Sequence, residues 1–266
     1  MDNRLNLDPT PSELENISPH ITKSEIQKIL GGIKIRNVSV YQRSLVHKSI
    51  PNSPVFKKNK SKFENTKMKY TLESNETLEL YGDSVLQFVV TDYLYHKFPS
   101  ANEGQLTKYR SNIVRSKMLA RLAKKIGLKG KILMADQVKN MGGDDNDRFL
   151  EDAFEAFIGA LCIDKGIKYA QKIIVKILDE NISEEDILKD DNYKDILLRF
   201  TQNMKMDTPK YIVKSCSNNE FTIVVNCLGK ARGKGRSSKK KKAEQLAAKM
   251  AIENLKIKEK MNLNSN

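Results

Sequence analysis

The sequence predicts two domains in series: an all-α domain, then a small α+β domain ordered αβββα. Three observations carry this prediction. Apolar residues recur at helical 3/4 spacing between residues 24 and 180, with no segment that needs a sheet. Strand-like alternation first appears at Tyr211-Ile212-Val213 and Phe221-Thr222-Ile223-Val224-Val225. Between the two patterns lies a polar, acidic stretch, residues 181–191 (NISEEDILKDD), with the composition of a linker.

Residues 1–20 hold Pro9, Pro11 and Pro19 and read as a loose tail. From Ser24, the spacing of Ile26, Ile29, Leu30 and Ile33 predicts a helix whose end Gly31-Gly32 weakens. A second apolar stretch begins at Leu45-Val46 and stops at Pro51. Residues 51–70 combine two prolines with six lysines and little periodicity, which predicts a long exposed loop. Residues 75–97 form a strong helix through Leu78, Val85, Leu86, Val89, Val90 and Leu94, stopped by Pro99. Residues 103–126 give another, ending at Gly127. An acidic glycine loop, Met141–Asp147, precedes an apolar helix over 148–163 and an amphipathic one over 166–180. The second domain starts with a helix over 192–204. Its third strand falls in Leu228–Lys234, and a final helix from about Ser238 carries Ala243, Leu246, Ala247, Met250, Ala251 and Leu255. Residues 259–266 form a short tail.

The charge is unevenly placed. Lys and Arg number 47 against 33 Asp and Glu, a net +14. Residues 229–260 contribute +9 and residues 56–70 contribute +5, so the rest of the chain is neutral. A neutral body with two basic patches points to a polyanionic partner, nucleic acid or an anionic membrane. No stretch approaches the ~18–20 apolar residues of a membrane span. The polar, acidic start MDNRLNLDPT predicts no signal peptide. Cys162, Cys216 and Cys227 fit neither a disulfide framework nor a zinc site, and Cys162 and Cys227 read as buried thiols of a reducing compartment, cytoplasmic or nuclear.

Carboxylates supply the candidate chemistry. Glu76, Glu79 and Asp83 fall at i, i+3 and i+7, within about 60° on one helix face. Asp152 and Glu155, at i and i+3, share a face of a helix that is otherwise apolar (Phe149, Ala153, Phe154, Phe157, Ile158), which places them near the core. Buried carboxylates are costly unless they bind a cation or pair with Arg or Lys. None of the three histidines, His20, His47 and His96, is spaced with these acids, so the donors are oxygens, favouring Mg²⁺ or Mn²⁺ over Zn²⁺. Such a site suits phosphodiester hydrolysis. As a bare string, E-x-x-E-x-x-x-D is more often a solvated helix face. Gly82 argues against that here, because a mid-helix Gly costs ~1 kcal/mol and marks close packing or ligand approach.

These residues resemble the ribonuclease III family. Asn75-Glu76-Thr77-Leu78-Glu79-Leu80-Tyr81-Gly82-Asp83-Ser84-Val85-Leu86 is similar to the signature N-E-x-L-E-x-x-G-D-[AS]-V-L. Leu45-Val46-His47-Lys48-Ser49 resembles A-L-T-H-x-S, Glu103-Gly104-Gln105-Leu106-Thr107 with Arg110 resembles E-G-x-L-[TS]-x-x-R, and Glu151–Ala160 resembles A-D-x-x-E-A-x-I-G-A, all in order over residues 21–183. The resemblance implies a catalytic domain over 21–183 that cleaves double-stranded RNA with Mg²⁺ (Mn²⁺ as a substitute), leaving 5′-phosphates and short 3′ overhangs. It implies Glu79, Asp83, Asp152 and Glu155 as metal ligands, Asp83 and Glu155 as catalytic, and Glu76 and Glu103 as further acids near the site or dimer interface. It also implies a homodimer packed through the signature helix. Three departures stand out: Thr77 replaces the usual Arg or Lys, removing a charged contact beside the site; Glu151 replaces a small residue; and the 51–70 segment is long. That segment is open to two readings, a solvated insertion or an RNA contact. His47 reads as structural, because metal rather than imidazole does the proton work.

After a linker at 184–191, residues 192–258 resemble a double-stranded RNA-binding domain. Lys194 and Gln202 lie on its first helix, Thr208–Val213 matches the P-x-Y-x-V strand, and Lys239, Lys240, Lys241 and Lys242 open the last helix, where lysines and free N–H groups suit phosphates of A-form RNA. Leu198-Arg199 stands where Gln-Glu is common, and the Ser215–Glu220 loop lacks the family's His. Both changes shift weight from minor-groove to phosphate contacts, so binding is expected to be salt-sensitive. The alternative function is a non-catalytic ribonuclease III-like RNA-binding or ribosomal component. Such relatives usually lose the acids, and this chain retains them.

Overall fold

A computed structural model describes residues 21–64, 66, 69–217 and 219–256. The tails expected at 1–20 and 259–266 lie outside these residues. The chain divides into two compact units, up to Lys189 and from Asp190.

The first unit is helical. Helix α1 (Lys23–Ile29) opens with a reciprocal capping box between Thr22 and Glu25 and ends before Gly31 and Gly32, both at positive φ. Helix α2 (Val38–Ser44), which the patterning does not mark, is capped by Asn37 and buries Tyr41. The 51–70 segment is not an exposed loop. It folds into α3 (Pro54–Lys58), α4 (Lys60–Glu64) and a 3₁₀ turn (Lys69–Leu72). Phe56 and Phe63 stack at 4.3 Å, and Val46, Ile50, Phe63 and Tyr70 form a small core of their own, with Leu72 and Leu133 against it. Three aromatic residues scattered among lysines give no helical period, yet they bury enough apolar surface to fold the segment.

Helix α5 (Glu76–Lys97) is the long central element. The single helix expected over 103–126 is two, α6 (Glu103–Val114) and α7 (Ser116–Lys125). Arg115 between them is extended (φ −68°, ψ 145°), capping one helix and starting the next. The bend lets Ile113, Leu119 and Leu122 all reach the core. A short α8 (Asp136–Asn140) and a 3₁₀ turn (Gly143–Asp145) lead into α9 (Asp147–Lys165), followed by α10 (Ile167–Asn181). Part of the expected 184–191 linker is instead α11 (Glu184–Leu188), capped by Ser183, with Ile187 buried in the first unit's core. The acidic composition of this piece belongs to a helix N-terminus, where carboxylates are favourable.

The unit is organised by the crossing of α5 and α9. A Cβ on Gly82 would lie 1.8 Å from the Glu155 carbonyl oxygen, and one on Gly159 2.4 Å from that of Leu78. The two backbones therefore touch where neither residue has a side chain.

The second unit has α12 (Tyr193–Asn203), then β1 (Lys210–Ser217), β2 (Glu220–Cys227) and β3 (Lys230–Ser237) in one antiparallel sheet of order β1-β2-β3, then α13 (Lys240–Asn254). Ile223, Val225 and Cys227 face a core completed by Leu197, Phe200, Ala247 and Ala251. Gly233 and Gly235 alternate with Lys234 and Arg236 along β3. A Cβ on either glycine would lie 2.1 Å from an α13 carbonyl, so the helix rests directly on that strand. Among the described residues, no helix is long and apolar enough to cross a membrane.

Candidate functional site

The α5–α9 crossing brings the signature acids together. Carboxylate oxygens of Glu79 on α5 and of Asp152 and Glu155 on α9 lie within 4.8 Å of one another. Glu155 is buried, with 8% of its surface exposed, and Asp152 and Glu79 are half-buried. Among the described residues, none of the three makes a hydrogen bond or an ion pair to a cationic side chain. Burial, then the charges of Asp83, Glu151, Glu79 and Asp152, pushes Glu155 up to about 8. Burial and Glu79 push Asp152 up to about 6. Burial and Glu76 raise Glu79 as well. Three oxygen donors that resist ionising together form an arrangement that a hard divalent cation relieves. The donor set contains no nitrogen or sulfur, which fits Mg²⁺ or Mn²⁺ rather than Zn²⁺.

The other predicted acids lie outside this trio. Asp83 is half-buried one turn beyond Glu79, and its carboxylate accepts a hydrogen bond from the Gln87 amide (3.2 Å). It is nonetheless the charge that raises Glu155 most. Glu76 is exposed and accepts hydrogen bonds from Lys48 Nζ (3.1 Å) and Ser74 Oγ (3.0 Å), and these hold its carboxyl below the usual range. Glu103 is exposed at the start of α6, where it accepts a hydrogen bond from Thr107, and nothing joins it to the trio.

Sequence reading gave no role to two cations near the site, Lys48 and Arg148. Lys48 and Arg148 both favour ionised Glu79 and Asp152, whereas Glu151 opposes it. Arg148 lies one turn before Asp152, so helical spacing could have marked it. Arg43 of α2 donates to Thr77 Oγ1 and to the Ser74 carbonyl and pairs with Glu73 at 2.9 Å. Arg43 thus reaches Thr77 from another helix, and no local pattern announces that contact. His47 serves structure: its Nδ1 meets Ser49 Oγ (2.9 Å) and accepts from the Ser49 amide, its ring lies 4.4 Å from that of Phe149, and burial lowers its pKa.

In the second unit, Lys239, Lys240, Lys241 and Lys242 are all exposed and form no ion pair among the described residues. Lys239 is the N-cap of α13 and makes no side-chain cap bond, which leaves first-turn N–H groups directed outward beside four ammonium groups. Gln202 is exposed at the end of α12. Lys194 is different: its Nζ pairs with Glu244 at 2.6 Å and sits 4.6 Å over the Tyr211 ring, so it braces α12 against α13 and β1. The strands run closer together than expected, since β1 continues to Ser217 and β2 starts at Glu220.

A family model described as Ribonuclease-III-like matches residues 37–181, and one described as Double-stranded RNA binding motif matches residues 193–255. The chain is 41% identical over 189 residues to a probable ribonuclease 3 of Acanthamoeba polyphaga mimivirus, covering 68% of this chain and 34% of that protein. It is 34% identical over 242 residues to ribonuclease 3 of Chlorobium chlorochromatii, covering 89% of this chain and 92% of that one. The solved nuclease domain of a Campylobacter jejuni ribonuclease III superposes with a TM-score of 0.51 at 30% identity, covering 60% of this chain and 99% of that domain.

Proposed function

The chain belongs to the ribonuclease III family, an enzyme family, and from that premise we propose that it is a divalent-metal-dependent endoribonuclease of double-stranded RNA. The carrying observation is the convergence of Glu79, Asp152 and Glu155 at the α5–α9 crossing, in a chain whose second unit matches a double-stranded RNA-binding motif. Glu79, Asp152, Glu155 and, one turn along, Asp83 would hold Mg²⁺ or Mn²⁺. When bound, the metal supplies Lewis acidity to the scissile phosphate and a low-pKa water for attack.

The protein's own groups prepare this reaction. Glu155, whose pKa is raised to about 8 by burial and the neighbouring acids, would give up its proton to solvent when a cation binds. Asp83, one turn along from Glu79, would orient the attacking water or accept its proton. Lys48 holds Glu76 aside from the trio, and Arg148 offsets part of its negative charge. Lys239–Lys242 with the α13 N-terminus hold phosphates, and Gln202, exposed at the end of α12, offers a further amide to the duplex. Products would carry 5′-phosphates with short 3′ overhangs. These follow from paired cuts by two subunits that dock through α5, whose exposed Leu80, Tyr81, Phe88 and Tyr95 form an apolar stripe. Dimer formation is also named in the description of the C. jejuni nuclease domain.

The test is incubation of long double-stranded RNA with the full chain and Mg²⁺, beside Glu155→Gln. Cutting by the parent and binding without cutting by Glu155→Gln is the expected result. RNA bound but never cut by the parent, across Mg²⁺ and Mn²⁺, would instead identify a non-catalytic RNA-binding relative.

A further inference from the structure

The proposed function leaves the lysine-rich segment between the His47 motif and α5 unexplained. The segment is a built module. Phe56, Phe63 and Tyr70 fold α3, α4 and the 3₁₀ turn onto Val46, Ile50, Leu72 and Leu133. Main-chain bonds fix its base: Asn75 N–H donates to the Val46 carbonyl (2.9 Å), His47 N–H to Leu133 (2.9 Å), and Leu133 N–H to Leu45 (2.8 Å). A solvated loop that served only to carry charge would need no core.

Part of its positive charge faces solvent without an ion-pair partner among the described residues. Lys57, Lys60 and Lys69 are exposed and make no ion pair among the described residues, while Lys58 and Lys62 have interactions of their own. Of the nearby acids, Glu73 pairs with Arg43 and Glu76 with Lys48, which leaves Glu64 of α4 as the acid within the module. The module also ends beside the metal-binding acids, since its 3₁₀ turn closes at Leu72, four residues before α5 begins, and Glu79 lies in the first turn of α5. Acids that chelate metal repel phosphates until metal arrives, and cations on their flank offset that repulsion.

We propose that this module is a second duplex-RNA contact, on the nuclease unit itself, with Lys57, Lys60 and Lys69 holding backbone phosphates next to the cleavage site. The inference rests on the RNA-cleaving reading above. The aromatic residues face inward and offer no stacking surface, so the contact grips any duplex through its backbone regardless of sequence.

The experiment compares the full chain with Lys57→Gln/Lys60→Gln/Lys69→Gln for binding to one double-stranded RNA of fixed length, in EDTA to prevent cutting, over ~50–200 mM salt. Each phosphate contact contributes about 0.9 to the slope of log affinity against log salt. The triple variant should lower that slope by about 2 to 3, so the parent's advantage in affinity shrinks about 40-fold across the range. The matching Lys→Arg triple should keep the parent slope. Single Lys60→Gln, expected to lower it by about 0.9, serves if the triple variant fails to melt like the parent. A parent that neither binds nor, in Mg²⁺, cuts the RNA defeats the reading of function. A parent that binds and cuts, with an unchanged slope in the variants, overturns this inference alone. So does loss of binding to phosphatidylserine vesicles with RNA affinity intact, which would assign the module to a membrane.

Discussion

Glu155 makes a direct prediction about the metal-free protein. An acid whose folded pKa lies above its unfolded value holds its proton more tightly in the native state, so native stability falls as pH rises between the two values. For Glu155 that window runs from its ordinary 4.5 to about 8, set first by burial and then by Asp83, Glu151, Glu79 and Asp152. His47, with a lowered pKa, works in the opposite direction around and below its ordinary 6.5. Asp152, raised to about 6, adds to the fall mainly below pH 6.5, so between pH 6.5 and 8 Glu155 dominates. Over that interval, the native state holds nearly one extra proton at first and half of one at the end. At 1.36 kcal/mol per pH unit per proton, the nuclease unit should lose about 1.5 kcal/mol. That corresponds to a fall of roughly 3–6 °C in its melting temperature for a unit of this size. Glu155→Gln, which mimics the protonated acid, should show no such fall and should melt above the parent at pH 8 in EDTA. Saturating Mg²⁺ should reverse the order, because a ligand at ~100 times its Kd adds about 2.7 kcal/mol to a parent that binds it. Thermal melts at several pH values, with EDTA or Mg²⁺, read all of this. A metal-free parent whose stability rises between pH 6.5 and 8, or a Glu155→Gln protein less stable than the parent in EDTA at pH 8, would refute the reasoning.

Two further outcomes follow from packing. Gly82→Ala places a methyl 1.8 Å from the Glu155 carbonyl oxygen, so α5 and α9 must part. Despite the better helix propensity of Ala, the variant should lose about 3 kcal/mol or more by urea titration, and cleavage with it, whereas an unchanged midpoint would contradict the close crossing. Leu80→Glu/Phe88→Glu replaces side chains that are 72% and 57% exposed. This double variant should therefore keep the parent's far-UV circular dichroism and melting curve while sedimenting at half its mass. A parent that already sediments as a monomer at micromolar concentration would remove the dimer proposal.

The fold was legible where one physical signal dominated. Helical spacing located α5, α9 and α10 to within a few residues, and alternation located the strands. Spacing alone placed Glu79 with Asp83, and Asp152 with Glu155, on shared faces. That Glu79 joins Asp152 and Glu155 more closely than Asp83 does was not legible, because it depends on the crossing of two helices some seventy residues apart. The break at Arg115 was hidden because the apolar period continues across it. The 54–72 module was hidden because its core is three aromatic residues in a lysine-rich background. Arg43 beside Thr77, Lys194 beneath Glu244, and buried Asp164, which accepts from the Arg36 and Asn37 amides and the Tyr41 hydroxyl, are tertiary matches with no local signature.

The crossing at Gly82 and Gly159 has a consequence for how the site tolerates change. Most helix pairs are held apart by the bulk of interlocking side chains, so each core substitution resets the distance between them. Here the spacer is two peptide backbones in contact, and a backbone has the same dimensions whatever the surrounding sequence. The separation of the carboxylates on α5 from those on α9 is therefore gauged by main chain. Core residues on either side can change without altering that gauge.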